Sequence, residues 1–190
     1  MTAISTVDDL RRYFETLYRE GGEFQSEEYE GSKDFDHSWK HLRTGSVVWK
    51  DAIDLSARPG AKAFFHYTGE LAFRNITALE KEAAEVWASL KTEGESANAW
   101  WGRGVYSVPK SPDKWANQME LLDNNFRNMM KRDVELHGED YVRRVYPPRA
   151  SFCIPLLIDP ENAYDISVRP TPEMEAAGKP PGTNLGVKLL

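Results

Sequence analysis

The sequence has little cysteine, no long apolar run and no excess of basic charge. One cysteine among 190 residues, Cys153, excludes an internal disulfide and a cysteine-built metal site. No run approaches the roughly 18 apolar residues of a membrane span, and the beginning of the chain is polar and acidic. The 24 basic and 30 acidic residues give a net charge of -6, which disfavours nucleic acid as a partner. We therefore expect a soluble protein without membrane partners, either cytoplasmic or delivered as an effector.

Several familiar site motifs are also missing. The Gly102-x-Gly104 pair lacks the third glycine of a dinucleotide fingerprint, and no G-x-S-x-G nucleophile motif occurs. His37 and His41 are spaced as metal ligands on a helix could be, but they lie in an acidic, irregular stretch. We expect them to form a surface pair, and we expect Cys153 to be a buried, inert thiol. No metal site is predicted.

The first 76 residues predict one helix and two strands. Apolar residues at helical spacing, with a Gly-Gly stop, predict a helix from Thr6 to Glu20. Residues 21–46 are without period and are predicted to be irregular. Val47–Trp49 is predicted as a short strand, and the alternating run Ala63–Thr68 as a longer one.

From Thr77 onward, predicted helices alternate with predicted strands. The predicted elements are a helix from Thr77 to Leu90, a strand from Gly104 to Val108, a helix from Ser111 to Gly138 and a strand from Phe152 to Ile158. Pro155 cannot donate to a ladder, which predicts an edge or a bulge for the last strand. This order predicts the α+β class with a mostly antiparallel sheet. We place a helical and irregular extension at residues 1–60 and the principal domain at 61–190.

Two short strings carry the chemistry. The first is Phe64-Phe65-His66-Tyr67-Thr68, and the second is Trp101-Gly102-Arg103-Gly104-Val105-Tyr106-Ser107. Period-two alternation puts His66 and Thr68 on one face of the first string and Tyr67 on the other. We therefore expect Tyr67 to lie in the core. Taken alone, His66 on an aromatic strand is more typical of a core histidine than of a binding residue.

Together, with a helix between them, the strings resemble the ADP-ribosyltransferase family in its histidine–tyrosine class. That class includes diphtheria-toxin-like and poly-ADP-ribose-polymerase-like proteins. The resemblance covers Ala63 to Pro112. It implies split antiparallel β-sheets with flanking helices, and a toxin-like glycosyltransferase that uses NAD as a substrate and needs no metal. ADP-ribose would pass to a side chain of an unknown protein target, or to water, with release of nicotinamide.

The resemblance also implies which residues would form the site. The NAD-binding residues it implies are His66, Thr68, Gly102, Arg103, Gly104 and Tyr106. Within this set, His66 would bind the ribose and Tyr106 would stack on the nicotinamide ring. The two glycines would let the backbone approach the ligand, and Arg103 would contact a phosphate.

The acid that such a reaction needs has several candidates late in the chain. Glu173 and Glu175 have the E-x-E form of arginine-modifying members, and with His66 they make up the predicted catalytic set. Glu161 and Asp165 compete for the role, and an acid beyond residue 190 in a truncated domain is a further alternative. The same fold without an acid would be an inactive binding module. An RNA 2′-phosphotransferase relative fits the negative net charge poorly.

Overall fold

The computed structural model of the chain describes residues 6–21, 24–26, 38–49, 53–54, 61–77 and 105–159. The helices are α1 (Val7–Gly21), α2 (Glu70–Thr77), α3 (Gln118–His137) and α4 (Glu139–Val145). The strands are β1 (Phe24–Ser26), β2 (Ser38–His41), β3 (Val47–Trp49), β4 (Ile53–Asp54), β5 (Lys62–Thr68) and β6 (Phe152–Ile158). Short 3-10 turns precede α3 at Pro112–Lys114 and follow α4 at Pro147–Ala150. None of the described helices is both long and apolar enough to cross a bilayer.

The described strands form one mixed sheet around β6. Strand β5 pairs antiparallel with β6 along its whole length, from Lys62 opposite Ile158 to Thr68 opposite Phe152. The other edge of β6 pairs in parallel with β3 and then with β4, and β2 and β1 continue outward from β3. The α+β class predicted from the sequence is confirmed. Three of the five pairings between described strands are antiparallel, in agreement with the predicted mostly antiparallel sheet. The two parallel pairings of β6 make the sheet mixed, whereas the resemblance implies split antiparallel sheets.

Pro155 lies inside the central strand, so the prediction that it marks an edge strand is wrong. Phe65, its partner in β5, directs both its N–H and its C=O away from β6, to Val108. Pro155 therefore belongs to a non-hydrogen-bonded pair with β5, and its nitrogen points to the opposite edge. There β3 pairs with β6 only up to Cys153, and β4 begins its pairing at Leu156. The missing amide hydrogen thus falls between the two short strands.

Two apolar layers cover the two faces of the sheet. Strand alternation sends Phe64 of β5 and the even-numbered residues of β6 to one face, where α2 inserts Phe73. The Phe73 ring stacks on that of Phe152 at a centroid distance of 4.6 Å. The opposite face carries Phe65 and Cys153, and α1 covers it with Leu10. The period-two faces predicted for the first string are confirmed for its aromatic residues.

Helices α3 and α4 enclose a third apolar cluster. Leu121 and Leu122 of α3 pack there with Trp115 and Tyr146, and Tyr67 of β5 reaches the same cluster. The core position predicted for Tyr67 is therefore confirmed, and Trp115 is buried in the same cluster. The helix predicted to begin at Ser111 begins only at Gln118, with Asn117 as its N-cap.

Three other elements differ from expectation. Residues 21–46, predicted to be irregular, contribute β1 and β2 to the sheet. Thr77, predicted to open a helix, is the last residue of α2, and its hydroxyl donates to the carbonyl of Phe73. The helix predicted beyond Thr77 lies outside the described residues. The strand predicted at Gly104–Val108 is reduced in the described part to a single bridge at Val108.

Candidate functional site

The two strings that carry the predicted chemistry meet at the outer edge of β5. Phe65 and Val108 form an antiparallel bridge, with the Phe65 amide donating to Val108 O at 2.8 Å and the Val108 amide donating to Phe65 O at 3.0 Å. This bridge sets residues 105–107 beside His66 and Tyr67. Val105 packs on the cluster that contains Phe64, so the segment closes over the face of β5 that alternation assigns to His66.

The imidazole of His66 is oriented by the second string. Its Nδ1 lies 2.7 Å from the main-chain carbonyl oxygen of Tyr106. A carbonyl oxygen only accepts hydrogen bonds, so Nδ1 carries the proton and donates it. Burial lowers the pKa of His66 below its ordinary 6.5, against the opposing effect of this hydrogen bond, so the ring is neutral near pH 7. The lone pair of neutral His66 is then on Nε2, which makes no hydrogen bond to any described residue.

Thr68 lies two residues beyond His66 on the same strand face, about 7 Å along the strand at ~3.4 Å per residue. It is partly buried, as are His66 and Tyr106. The structure therefore brings the His66 side chain to the Tyr106 main chain, with Thr68 further along the same face. The other predicted site residues, Gly102, Arg103, Gly104, Glu173 and Glu175, lie outside the described residues, as do Glu161 and Asp165.

The chain that follows Tyr106 makes a second contact with β5, through the side chain of Tyr67. The hydroxyl of Tyr67 donates to the carbonyl of Lys110 at 3.2 Å, and it accepts from the indole nitrogen of Trp115 at 2.9 Å. Lys110 returns over the Trp115 ring, with its ammonium 4.0 Å from the ring centroid and 2.6 Å from Glu120. Burial raises the pKa of Tyr67 far above its ordinary value, so the phenol keeps its proton and remains a donor.

A buried polar cluster closes this segment against α1. Tyr13 and Ser111 both donate to Oδ1 of Asp113, at 2.7 and 2.5 Å. Lys114 pairs with Oδ2 at 2.7 Å, and Arg43 donates to the Asp113 carbonyl at 2.7 Å. The Asp113 side chain is 4% exposed. Burial acts to raise the pKa of Asp113, but the bonds from Lys114, Ser111 and Tyr13 together hold it below its ordinary value. Nothing in the sequence pattern indicated that Tyr13 reaches this position.

Two other side chains that the sequence singled out have structural roles. Cys153 is fully buried, which confirms the predicted burial, and burial raises the pKa of its thiol, as expected of an unreactive group. His41 is fully buried as well, with Nδ1 2.8 Å from the hydroxyl of Thr44, so the predicted surface position is wrong. The reason is that β2 is an inner strand of the sheet. His37 lies outside the described residues.

Among the described residues, no three histidine, cysteine, aspartate or glutamate side chains converge as metal ligands could. None of the described carboxylates hydrogen-bonds to His66. The site in the described part therefore consists of a neutral histidine, a hydroxyl and the main chain of the Tyr106 segment.

Comparisons with known proteins give a family but no function. The chain matches no curated protein and no solved structure. One family model, described as a domain of unknown function, matches residues 10–119, which is more than half of the chain. The matched residues begin in α1 and end at the start of α3, so they include His66, Tyr106 and the Asp113 cluster. The chain belongs to this family, Domain of unknown function (DUF8279).

Proposed function

We propose that the chain is an NAD-dependent ADP-ribosyltransferase-like protein, with the corresponding fold, that transfers ADP-ribose to a protein side chain or to water. The observation that carries the proposal is the contact between the two strings. The His66 imidazole lies 2.7 Å from the Tyr106 carbonyl, although 40 positions separate the two residues along the chain. The ADP-ribosyltransferase resemblance requires this neighbourhood, whereas an accidental match of two unrelated strings does not.

The protonation state of His66 suits the role that the resemblance gives it. With Nδ1–H committed to Tyr106, the Nε2 lone pair can accept a hydrogen bond from a ribose hydroxyl. Because burial lowers the pKa of His66, this acceptor is present at neutral pH. Thr68 supplies a hydroxyl on the same face for the neighbouring polar groups of NAD. Tyr106 supplies the aromatic ring for nicotinamide, a contact worth about 0.5–1.5 kcal/mol beyond area burial.

The proposed reaction breaks the bond between ribose C1′ and the nicotinamide nitrogen. The electron pair of that bond leaves with nicotinamide, and the sugar passes through an oxocarbenium-like state, as in glycoside hydrolysis. A side-chain nucleophile or water then bonds to C1′ and gives its proton to a carboxylate. Glu173 or Glu175 would be that carboxylate and would stabilise the positive charge on the sugar. Gly102, Arg103 and Gly104 would contact the rest of NAD.

A second candidate has one specific observation in its favour. Within the described ranges, no carboxylate reaches His66, and a site without an acid could bind NAD but not cleave it. The alternative function is therefore an inactive module of the same fold, which binds NAD or a partner. Cleavage and binding must be measured separately to distinguish the two.

The test is nicotinamide release from NAD by the purified protein, with NAD binding followed by calorimetry. We expect His66→Asn to abolish both, because it removes the Nε2 acceptor. The matched control is His137→Asn, which makes the same change at an exposed position in the last turn of α3 and should alter neither. Glu173→Ala and Glu175→Ala should both still bind NAD. The variant that lacks the catalytic carboxylate should no longer release nicotinamide.

Each remaining outcome has a defined meaning. Binding without release by the wild type would favour the inactive module. Release that persists in His66→Asn would contradict the assigned role of His66. If the wild type neither binds NAD nor releases nicotinamide from it, the proposal that NAD is the substrate is wrong.

A further inference from the structure

The hydroxyl of Tyr13 is the part of α1 that reaches the segment following Tyr106. Its ring packs with the cluster of Leu10 and Phe65, while its hydroxyl donates to Asp113 Oδ1 at 2.7 Å. Ser111 Oγ lies 3.2 Å from the same hydroxyl, but each hydroxyl has one proton, and both protons go to Asp113. The Tyr13–Asp113 bond therefore joins residues that are 100 positions apart.

The Tyr106 segment depends on such contacts because it forms little regular structure. Residues 105–107 belong to no strand, and Val108 makes the single bridge to β5 within the described ranges. From Val108 onward, the Tyr67–Lys110 bond and the Asp113 cluster hold the chain in place. Movement at Asp113 would loosen the end of a short segment whose other end presents the Tyr106 carbonyl to His66.

We propose that Tyr13 and Asp113 are positioning residues of the site. Their hydrogen bond latches α1 onto the 105–113 segment, and the latched segment holds the carbonyl that fixes the tautomer of His66. The N-terminal helix then positions the site in addition to covering one face of the sheet. The functional meaning of the latch rests on the NAD site proposed above, whereas the latch itself can be tested without NAD.

The variant that tests the latch is Tyr13→Phe, which removes the hydroxyl and keeps the ring in its apolar cluster. The matched control is Tyr146→Phe, because Tyr146 is also a buried tyrosine whose hydroxyl donates to a carboxylate, Asp133, at 2.8 Å. The control loses a bond of the same kind inside the helical cluster. Asp113→Asn is the second test variant, since it replaces the charged acceptor of the Tyr13 bond with a neutral amide oxygen and so weakens the same contact from the other side.

The first readout is native-state hydrogen exchange of the Val108 amide, which donates to Phe65 O. The Leu156 amide in the central strand serves as the internal reference. In Tyr13→Phe we expect the Val108 amide to exchange about tenfold faster relative to the Leu156 amide. A change of this size is expected when the segment loses one hydrogen bond to a charged group. Tyr146→Phe should leave this ratio unchanged. An unchanged ratio in Tyr13→Phe, or an equal rise in both variants, would overturn the proposal.

The second readout is the nitrogen NMR spectrum of the His66 ring, which distinguishes a protonated Nδ1 from a protonated Nε2. The wild type should show the Nδ1–H form, and Tyr13→Phe and Asp113→Asn should both show a mixture. A purely structural tyrosine would not change this signature, so a wild-type spectrum in both variants would refute the positioning role.

Calorimetry with NAD separates the latch from the proposed function. If the wild type binds NAD, Tyr13→Phe should raise the Kd several-fold while the control does not, and equal Kd values would contradict the positioning role. If the wild type does not bind NAD, the proposed function fails, and the exchange and tautomer measurements still decide whether the latch exists.

Discussion

Replacing His66 tests whether its imidazole is a binding group or part of the core. His66 is partly buried, and the one hydrogen bond from its side chain to a described residue runs from Nδ1 to the Tyr106 carbonyl at 2.7 Å. His66→Ala loses that bond, worth about 1 kcal/mol net, and some packing, so we expect a loss of about 1–2 kcal/mol in the free energy of unfolding. In His66→Asn the amide nitrogen takes the place of Nδ1 and can donate to the same carbonyl. This variant should therefore cost less than about 1 kcal/mol.

The assay is urea unfolding at pH 7, followed by tryptophan fluorescence, with the midpoint and the slope compared among the three proteins. The slope should not change, because neither substitution alters the surface that unfolding exposes. A loss above about 3 kcal/mol in His66→Ala would refute the reasoning, since a cost of that size is typical of a cavity in a packed core. His66 would then be a core histidine.

The lowered pKa of His66 also predicts how the free energy of unfolding depends on pH. Burial lowers the pKa of His66 below 6.5 in the folded chain, so the unfolded chain takes up this proton at a higher pH. Wild-type stability should therefore fall as the pH drops below 6.5, and this contribution should level off below the folded pKa. His66→Asn lacks the proton, so the stability advantage of the wild type should shrink in that window. A pH-independent difference between the two proteins would contradict the lowered pKa.

Three further predictions concern the scaffold. Phe73→Ala should cost about 3–5 kcal/mol in urea unfolding, because it empties a buried position stacked on Phe152. Gly138→Ala should cost about 1–3 kcal/mol in thermal unfolding, because the loss comes from backbone strain; φ is +84° there and no atom lies within 4 Å of the added Cβ. Burial, with the bond to Asp133, raises the pKa of Tyr146 from 10 to about 12, so the wild type should lose stability relative to Tyr146→Phe as the pH rises from 10 to 12. Equal values for variant and wild type would contradict each prediction.

The local sequence pattern was enough to predict elements in which the spacing of apolar residues and the residues that end the element indicate the same structure. The predicted helix at Thr6–Glu20 is α1, and the alternation of Ala63–Thr68 gives β5 with its two faces in the correct order. These predictions succeed because one face of each element must be buried, and the apolar period records which face it is. The α2 helix had a comparable signal that was missed. Phe73 and Ile76 are three residues apart and pack on the same cluster.

The errors occurred where pairing over long sequence distances determines the structure. A proline predicts an edge strand because a central strand normally has continuous hydrogen-bonded ladders on both sides. The sequence does not show that β3 and β4 pair with different parts of one side of β6 and leave Pro155 between them. Likewise, β1 and β2 are three and four residues long, too short for a reliable period. Their place in the sheet follows from neighbours that local pattern does not reveal.

The same limit applies to the site. The neighbourhood of His66 and Tyr106 was predictable from the order of the two strings, because they resemble a known arrangement. The Tyr13–Asp113 contact was not predictable, since a tyrosine on an amphipathic helix has no pattern that identifies a partner 100 residues away. Only the packing of α1 on the sheet brings that hydroxyl to the carboxylate.

Two histidines among the described residues, His41 and His66, are buried or partly buried, and a comparison of them shows why His66 is the candidate. Both have Nδ1 at short hydrogen-bond distance, from Thr44 Oγ1 at 2.8 Å in His41 and from the Tyr106 carbonyl at 2.7 Å in His66. A hydroxyl can donate or accept, so Thr44 leaves the tautomer of His41 undetermined, whereas a carbonyl fixes that of His66. His41 is also fully enclosed, while His66 lies partly exposed at the outer edge of β5. A ligand needs both a defined acceptor and access to it, and His66 combines the two.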